Sequence, residues 1–241
     1  MSDPLHQFLI QVIYPISFWG VDISFTNASL FMLIGVSLIL GVLITGLSSA
    51  AVTSPSLFQY VVEAILGFAK NLTDDIIGAQ STRLAPLVFG FFFFIATINL
   101  LGIVPFSYTV TSQFVVTLAL AIFMFIVATG LGLMRHGFRF FKRFMPSGVP
   151  LVIAPIIIPI EVISYMFRPI SLGVRLFANM FAGHIVLKIF AGFSVGLGLV
   201  GIIPMFFNVL FMLFEIFVAC LQAYIFTILS CVYIHDAREM H

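Results

Sequence analysis

The stretch SLGVRLFANMFAGH, residues 171–184, decides the fold of this chain, because it places an arginine inside a long apolar segment. Glu161 and Arg168 precede Arg175 at steps of seven residues, and Asn179 follows it by four. Seven residues advance an α-helix by almost two full turns, so these side chains form one ionisable stripe. A guanidinium keeps its charge, and a cation at bilayer depth is costly unless it meets water or an anion. We therefore expect Arg175 to face a carboxylate that belongs to another protein.

The composition around that stretch is typical of a polytopic membrane protein. Of the 241 residues, 62% are hydrophobic and 8% are charged, and soluble domains carry about three times that charged fraction. A net charge of +1 without a basic and aromatic surface pattern gives no reason to expect a nucleic-acid partner. We predict an all-α membrane protein.

Apolar runs and their interruptions predict the order of the segments within one membrane domain, 1–241. They are an interfacial segment at 1–27, a transmembrane helix at 28–47, an amphipathic membrane-surface helix at 56–80, a transmembrane hairpin at 84–104 and 113–134, and a long hairpin at 151–190 and 202–234. The surface helix is predicted from apolar residues at three- and four-residue spacing with charges between them. Since about 20 residues span a bilayer, we expect the longer hairpin to be strongly tilted.

A basic run fixes the predicted orientation. It contains Arg135, Arg139, Lys142 and Arg143. The positive-inside rule places this run on the cytoplasmic or matrix side, and the N-terminus and residues 107–112 on the opposite side. We interpret the basic run itself as a solvated determinant of topology.

The last apolar run carries a second polar line, because Asn208, Glu215 and Gln222 repeat every seven residues. Such groups either join two helices by interhelical hydrogen bonds or take part in transport. Both interpretations stay open for Asn208 and Gln222, whereas an ionisable residue such as Glu215 favours transport. His184 alone, about half a turn from the Arg175 stripe, reads as a structural hydrogen-bonding residue.

The sequence lacks the patterns of bond-making chemistry. The five histidines have no spacing for bis-imidazole haem ligation, and there is no zinc pattern, phosphate-binding loop or serine nucleophile elbow. We therefore expect no catalytic residue, metal or cofactor.

Residues 171–184, together with EIFVACLQAYIF at 215–226 and IVPFSYTVTSQ at 103–113, resemble subunit a of the rotary F-type ATP synthase. The resemblance covers essentially the whole chain and is greatest to the mitochondrial and alphaproteobacterial branch. In many bacterial members a glutamate occupies the His184 position and a histidine the Glu215 position. The exchange of this pair predicts that the two side chains work close together.

The resemblance implies a non-catalytic stator subunit beside a rotating ring of c subunits, each with one membrane carboxylate. Arg175 would face that carboxylate and block leakage between two offset half-channels. The implied proton path has Glu215, His184, Asn179 and Gln222 in one half-channel, and Glu161, with Arg168, in the other. The implied partners are the c-ring, the peripheral-stalk subunit b, other Fo subunits and lipid, while ATP chemistry resides on other subunits.

The predicted location is the mitochondrial inner membrane, with the bacterial inner membrane as the alternative and residues 135–143 on the matrix or cytoplasmic side. Protons are the expected coupling ion. Two other functions stay open. In one the chain is a self-contained secondary transporter in which Arg175 binds an anionic substrate, although we find no internal inverted repeat. In the other it is a structural subunit that holds a membrane complex together.

Overall fold

A computed structural model describes residues 8–18, 21–22, 24–48, 57–78, 84–104, 107–144 and 153–238. This part of the chain forms six α-helices. They are α1 (Asn27–Ser48), α2 (Leu57–Ile77), α3 (Ala85–Ile103), α4 (Phe114–His136), α5 (Ala154–Gly196) and α6 (Ile202–Arg238). All of them except α2 are long and apolar enough to cross a membrane. The predicted all-α polytopic membrane fold is therefore confirmed.

The N-terminal segment contains short strands that the sequence pattern does not predict. β1 (Val12–Tyr14) pairs antiparallel with β4 (Phe25–Thr26), and β2 (Ser17–Phe18) pairs antiparallel with β3 (Val21–Asp22). Asn27 ties this segment to the start of α1, because its side chain accepts a hydrogen bond from the backbone of Gln11 and donates one to that of Leu9. The strands are too short to alter the fold class.

The amphipathic helix α2 packs against α1, α3 and α6. Its buried face includes Val62, Leu72 and Ile77. Leu57 and Tyr60, near its N-terminal end, point away from the rest of the chain. The outward apolar side chains suit a helix that lies against lipid, and its position on the membrane surface stays a prediction.

The core lies where α3, α4 and α5 surround α6, and its fully buried side chains include Ile95, Met124, Leu176 and Phe226. Helices α4 and α5 approach closely at Gly173, where an added Cβ would lie 3.0 Å from the Cα of Leu118. Small residues commonly permit such contacts between membrane helices. Helices α3 and α4 thus pack against the long hairpin, which carries most of the predicted polar residues.

That hairpin is formed by α5, with 43 residues, and α6, with 37. At 1.5 Å per residue they are about 64 and 56 Å long, roughly twice the hydrocarbon thickness of a bilayer. Both extend beyond the predicted ends at residues 190 and 234. Gly198, with φ +56°, makes the reversal between them in a conformation that suits glycine. Their tilt in the membrane stays a prediction.

Candidate functional site

Polar contacts join α5 to α6 at three levels. They are His184 with Glu215, Asn179 with Gln222, and Arg168 with Asp236. Positions later on α6 meet positions earlier on α5, as an antiparallel hairpin requires. Of these contacts, the one between Asn179 and Gln222 joins the two predicted polar lines; the others join one line to His184 or to Asp236.

The most deeply buried of these ionisable pairs is His184 with Glu215. The Nδ1 atom of His184 lies 3.3 Å from Oε1 of Glu215, and the two residues are 6% and 4% exposed. Neither carboxylate oxygen of Glu215 has a hydrogen-bond partner among the described residues. The predicted proximity of this pair is confirmed.

A residue that the sequence analysis missed contacts the other side of the imidazole. Thr109 places its hydroxyl 2.8 Å from Nε2 of His184, and both groups are buried. Thr109 belongs to residues 107–112, which connect α3 to α4 and are buried throughout. The only sequence signal was its place in the segment 103–113 that carries part of the family resemblance.

A cavity of about 260 Å³ reaches this histidine from the end of the bundle opposite the basic run. Besides His184 it is lined by Lys188 and Asn208 among mostly apolar residues. The carboxamide oxygen of Asn208 has no hydrogen-bond partner among the described residues. Asn208 therefore fits a polar lining better than an interhelical contact.

Toward the middle of the hairpin, the side chain of Asn179 donates a 2.8 Å hydrogen bond to Gln222. Gln222 is buried, and its amide nitrogen has no partner among the described residues. Asn99 on α3 is fully buried and donates to the backbone oxygen of Ala219, one turn beyond Glu215 on α6. Asn99, another residue that the sequence analysis missed, thus adds a third helix to this polar group.

Arg175 lies on the exposed surface of α5. It makes no hydrogen bond or salt bridge with any residue in the described part of the chain. Helices α3 and α4 contain no acidic residue, and α6 has none between Glu215 and Asp236. The hairpin and its two neighbours therefore provide no carboxylate at the level of Arg175.

Arg168, the cation two turns earlier, has an internal partner. Its Nη1 atom lies 3.1 Å from Oδ2 of Asp236, and its guanidinium lies over the rings of Tyr165 and Tyr233. We expected Arg168 to accompany Glu161, but the carboxylate that it contacts is on α6. The sequence did not reveal this because Asp236 stands among charged residues near the chain's end.

The same aspartate binds Arg143 from the basic run, with Nη2 3.1 Å from Oδ2 of Asp236. A second hydrogen bond joins Arg143 to the backbone oxygen of Asp236. The interpretation of the basic run as merely solvated is therefore wrong for Arg143, which fastens the run to the end of α6.

Glu161 is half-buried on α5 and makes no hydrogen bond or salt bridge within the described ranges. At 1.5 Å per residue, it lies about 21 Å from Arg175 along the helix axis, toward the basic run. His184 lies about 13 Å from Arg175 in the opposite direction. The two carboxyl sites are thus separated along α5 by the unpaired arginine.

A protein-family model described as "ATP synthase A chain" matches residues 29–235. The chain belongs to this family. Among its relatives, an ATP synthase subunit a from Parvibaculum lavamentivorans is 48% identical, covering 98% of this chain and 93% of the relative. One from Rhizobium etli is 46% identical, covering 98% of this chain and 97% of the relative. One from Rhodospirillum rubrum is 45% identical over the full length of both chains.

The family membership confirms the resemblance, including its alphaproteobacterial branch. With five helices in the described ranges that are long and apolar enough to cross a membrane, the chain is a multi-pass membrane protein. The three relatives are bacterial, so they do not support the expected mitochondrial location and fit the bacterial alternative.

Proposed function

We propose that the chain is the proton-translocating stator subunit of the Fo sector of a rotary ATP synthase in a bacterial inner membrane. The observation that carries this proposal is Arg175, an exposed cation on a membrane-spanning helix with no anion beside it in the described structure. Its relatives bear the name ATP synthase subunit a. The chain itself makes and breaks no bonds of ATP.

Arg175 acts on a carboxylate that a ring of c subunits brings to it. An opposite charge within a few ångströms favours the ionised carboxylate, so each arriving group releases its proton near the arginine. The fixed positive charge also repels a proton that would otherwise pass directly across the membrane. Exposure of the guanidinium on the outer surface of α5 suits a partner that moves past it.

Two separate access routes would lead to the ring. The first begins at the cavity beside His184 and continues through Glu215 to Gln222, with Asn179 bonded to the last residue. The second serves the basic-run side and contains Glu161. Because Arg175 lies between the two routes, a proton crosses only by travelling with the ring.

The membrane potential drives this transfer. It supplies about 2.3 kcal/mol per elementary charge per 100 mV, and offset routes convert that energy into rotation. The c-ring is the partner opposite Arg175, and subunit b of the peripheral stalk and the other Fo subunits hold the stator in place. Arg168 does not take part directly, because Asp236 and two tyrosine rings surround its charge.

The proposal is tested by proton-driven ATP synthesis in inverted membrane vesicles that carry Glu215→Gln. We expect slower proton transport with normal assembly of the complex, because the amide cannot exchange a proton. Asp75→Asn is the matched control, since Asp75 is exposed on α2 and outside the site. Unchanged proton flux in the Glu215 variant would remove this residue from the path.

Purification separates this function from transport of an anionic solute. A stator subunit is expected to co-purify with a ring of small hydrophobic subunits. Substrate uptake by the isolated chain in liposomes would instead support a self-contained transporter.

A further inference from the structure

Thr109 contacts two polar groups with one hydroxyl. Its Oγ1 atom lies 3.3 Å from the backbone oxygen of Gly102 and 2.8 Å from Nε2 of His184. A hydroxyl has a single proton, and a carbonyl oxygen can only accept. Thr109 therefore either donates to Gly102 and accepts from an Nε2–H of His184, or donates to Nε2 and gives no proton to the Gly102 carbonyl. Which group receives the proton decides which nitrogen of His184 carries hydrogen.

The carbonyl of Gly102 belongs to the last turn of α3, which ends at Ile103, so its oxygen has no partner within the helix. Ser107 is the other donor near it, but the Ser107 hydroxyl also lies within hydrogen-bond distance of the carbonyls of Leu101 and Val104. Because a carbonyl oxygen has two lone pairs, the Gly102 oxygen can accept from Thr109 at 3.3 Å as well as from Ser107 at 3.0 Å.

Packing holds Thr109 in this position. A Cβ on Gly102 would lie 2.8 Å from Cγ2 of Thr109, so the threonine methyl group already occupies the space beside the glycine. Thr109 is 1% exposed. Its hydroxyl therefore keeps a fixed direction toward the carbonyl and the imidazole.

We infer that Thr109 is a positioning residue that holds His184 in its Nε2–H tautomer. This inference rests on the proposed function and assigns a role that the family membership does not give. With Nε2–H donated to Thr109, the unprotonated Nδ1 is the nitrogen that faces Oε1 of Glu215 at 3.3 Å. The histidine is then a base toward Glu215.

The 3.3 Å contact is not a hydrogen bond in this structure, and its closure to hydrogen-bond geometry permits one proton step. The O–H bond at Oε1 of Glu215 breaks and an N–H bond forms at Nδ1 of His184, giving a carboxylate and an imidazolium. The reverse step restores the carboxylic acid, and no other bond changes. In the opposite tautomer Nδ1 already carries hydrogen, so it could not accept this proton.

Two ionisable groups of the described chain lie near the imidazole, namely Glu215 on α6 and Lys188 on α5. Phe8, from the N-terminal segment, lies with its ring centroid 6.4 Å from that of His184 and carries no charge. Thr109 is thus the group that can select the tautomer from the side opposite Glu215.

The direct test is nitrogen-15 NMR of histidine-labelled, reconstituted ATP synthase. The signal of His184 is assigned by its loss in His184→Gln. We expect the shifts of an Nε2–H imidazole in the parent and a mixture of tautomers in Thr109→Val, which keeps the β-branched shape but replaces the hydroxyl with a methyl group. An Nδ1–H signal in the parent, or a spectrum unchanged by Thr109→Val, would overturn the inference.

A second test measures proton-driven ATP synthesis. We expect Thr109→Val to reduce the rate about two- to tenfold, the range of one hydrogen bond, and Thr109→Ser to retain most of it. In a His184→Gln background, Thr109→Val should cause no further loss, because it acts through the histidine. Equal losses in the Ser and Val variants, or an equal loss without His184, would show a merely structural role.

Different results would contradict the role of the His184–Glu215 pair and the role of Thr109. If His184→Gln and Glu215→Gln leave proton transport unchanged, the proposed function of the pair is wrong whatever the tautomer. If those variants impair transport but the NMR signal is Nδ1–H, only the role of Thr109 is wrong.

Discussion

His184 on α5 and Glu215 on α6 meet across the long hairpin, with Nδ1 3.3 Å from Oε1. The contact depends on Gly183, because a Cβ there would lie 2.8 Å from the same carboxylate oxygen. An acid and a base thus share one buried position next to a cavity. This arrangement is the reason to treat the two side chains as one unit.

Exchanging the two residues should preserve that unit. Each single variant, His184→Glu or Glu215→His, places two groups of the same type against each other. We expect each to lose about tenfold or more in proton-driven ATP synthesis, and the double variant to recover most of the loss, since contacting residues couple strongly. Additive losses in the double variant would show that the pair does not act together.

Removal of the Arg175 charge should uncouple proton flow from ATP synthesis. We expect Arg175→Ala to abolish ATP synthesis driven by a proton gradient, because nothing then attracts the ring carboxylate or separates the two routes. Passive proton leak should persist or rise. The measurement is ATP synthesis and leak in the same vesicles, with Arg139→Ala, an exposed arginine of the basic run, as control. Normal coupling in the Arg175 variant would contradict its role.

Asp236→Asn should weaken the attachment of the basic run to the hairpin. The neutral side chain removes the charge shared by Arg143 and Arg168. Because the three side chains are 18–33% exposed, we expect a loss of about 1–2 kcal/mol, between surface and buried ion pairs. This loss of stability is measured as a lower heat-inactivation midpoint of the solubilised complex than that of Asp75→Asn. Equal midpoints would argue against the attachment of the basic run to α6.

Gly173→Ala should disturb the contact between α4 and α5. The new Cβ would lie 3.0 Å from Cα of Leu118 and 3.2 Å from the backbone oxygen of Thr117, and backbone atoms cannot yield cheaply. We expect a destabilisation of about 1–3 kcal/mol, measured as a lower heat-inactivation midpoint of the solubilised complex. Gly192→Ala is the control, because its Cβ would meet nothing within 4 Å. A Gly173 variant as stable as the control would show that the helices can separate locally.

The helices of this fold could be predicted because the signals are local. Uninterrupted apolar runs mark α1, α3 and α4, and charges between apolar positions mark α2. The seven-residue repeats on α5 and α6 also predicted two polar lines, and Asn179 and Gln222 from these lines meet across the hairpin. Each of these patterns depends on neighbours within a few turns.

The contacts that the sequence did not predict depend on distant parts of the chain. Ideal helix geometry placed His184 half a turn from the Arg175 stripe, yet the close approach at Gly183 brings Glu215 to it. Thr109 lies in a non-periodic connection, and Asp236 meets Arg168 only through the antiparallel register of the hairpin.

The most direct measurement is a cryo-electron microscopy map of the intact complex that resolves the surface of α5 around Arg175. The account predicts a ring carboxylate as the nearest acid, within about 4–6 Å of the guanidinium as successive c subunits pass. An Arg175 side chain bound to an acid of its own chain, or directed at lipid with no ring beside it, would contradict the account.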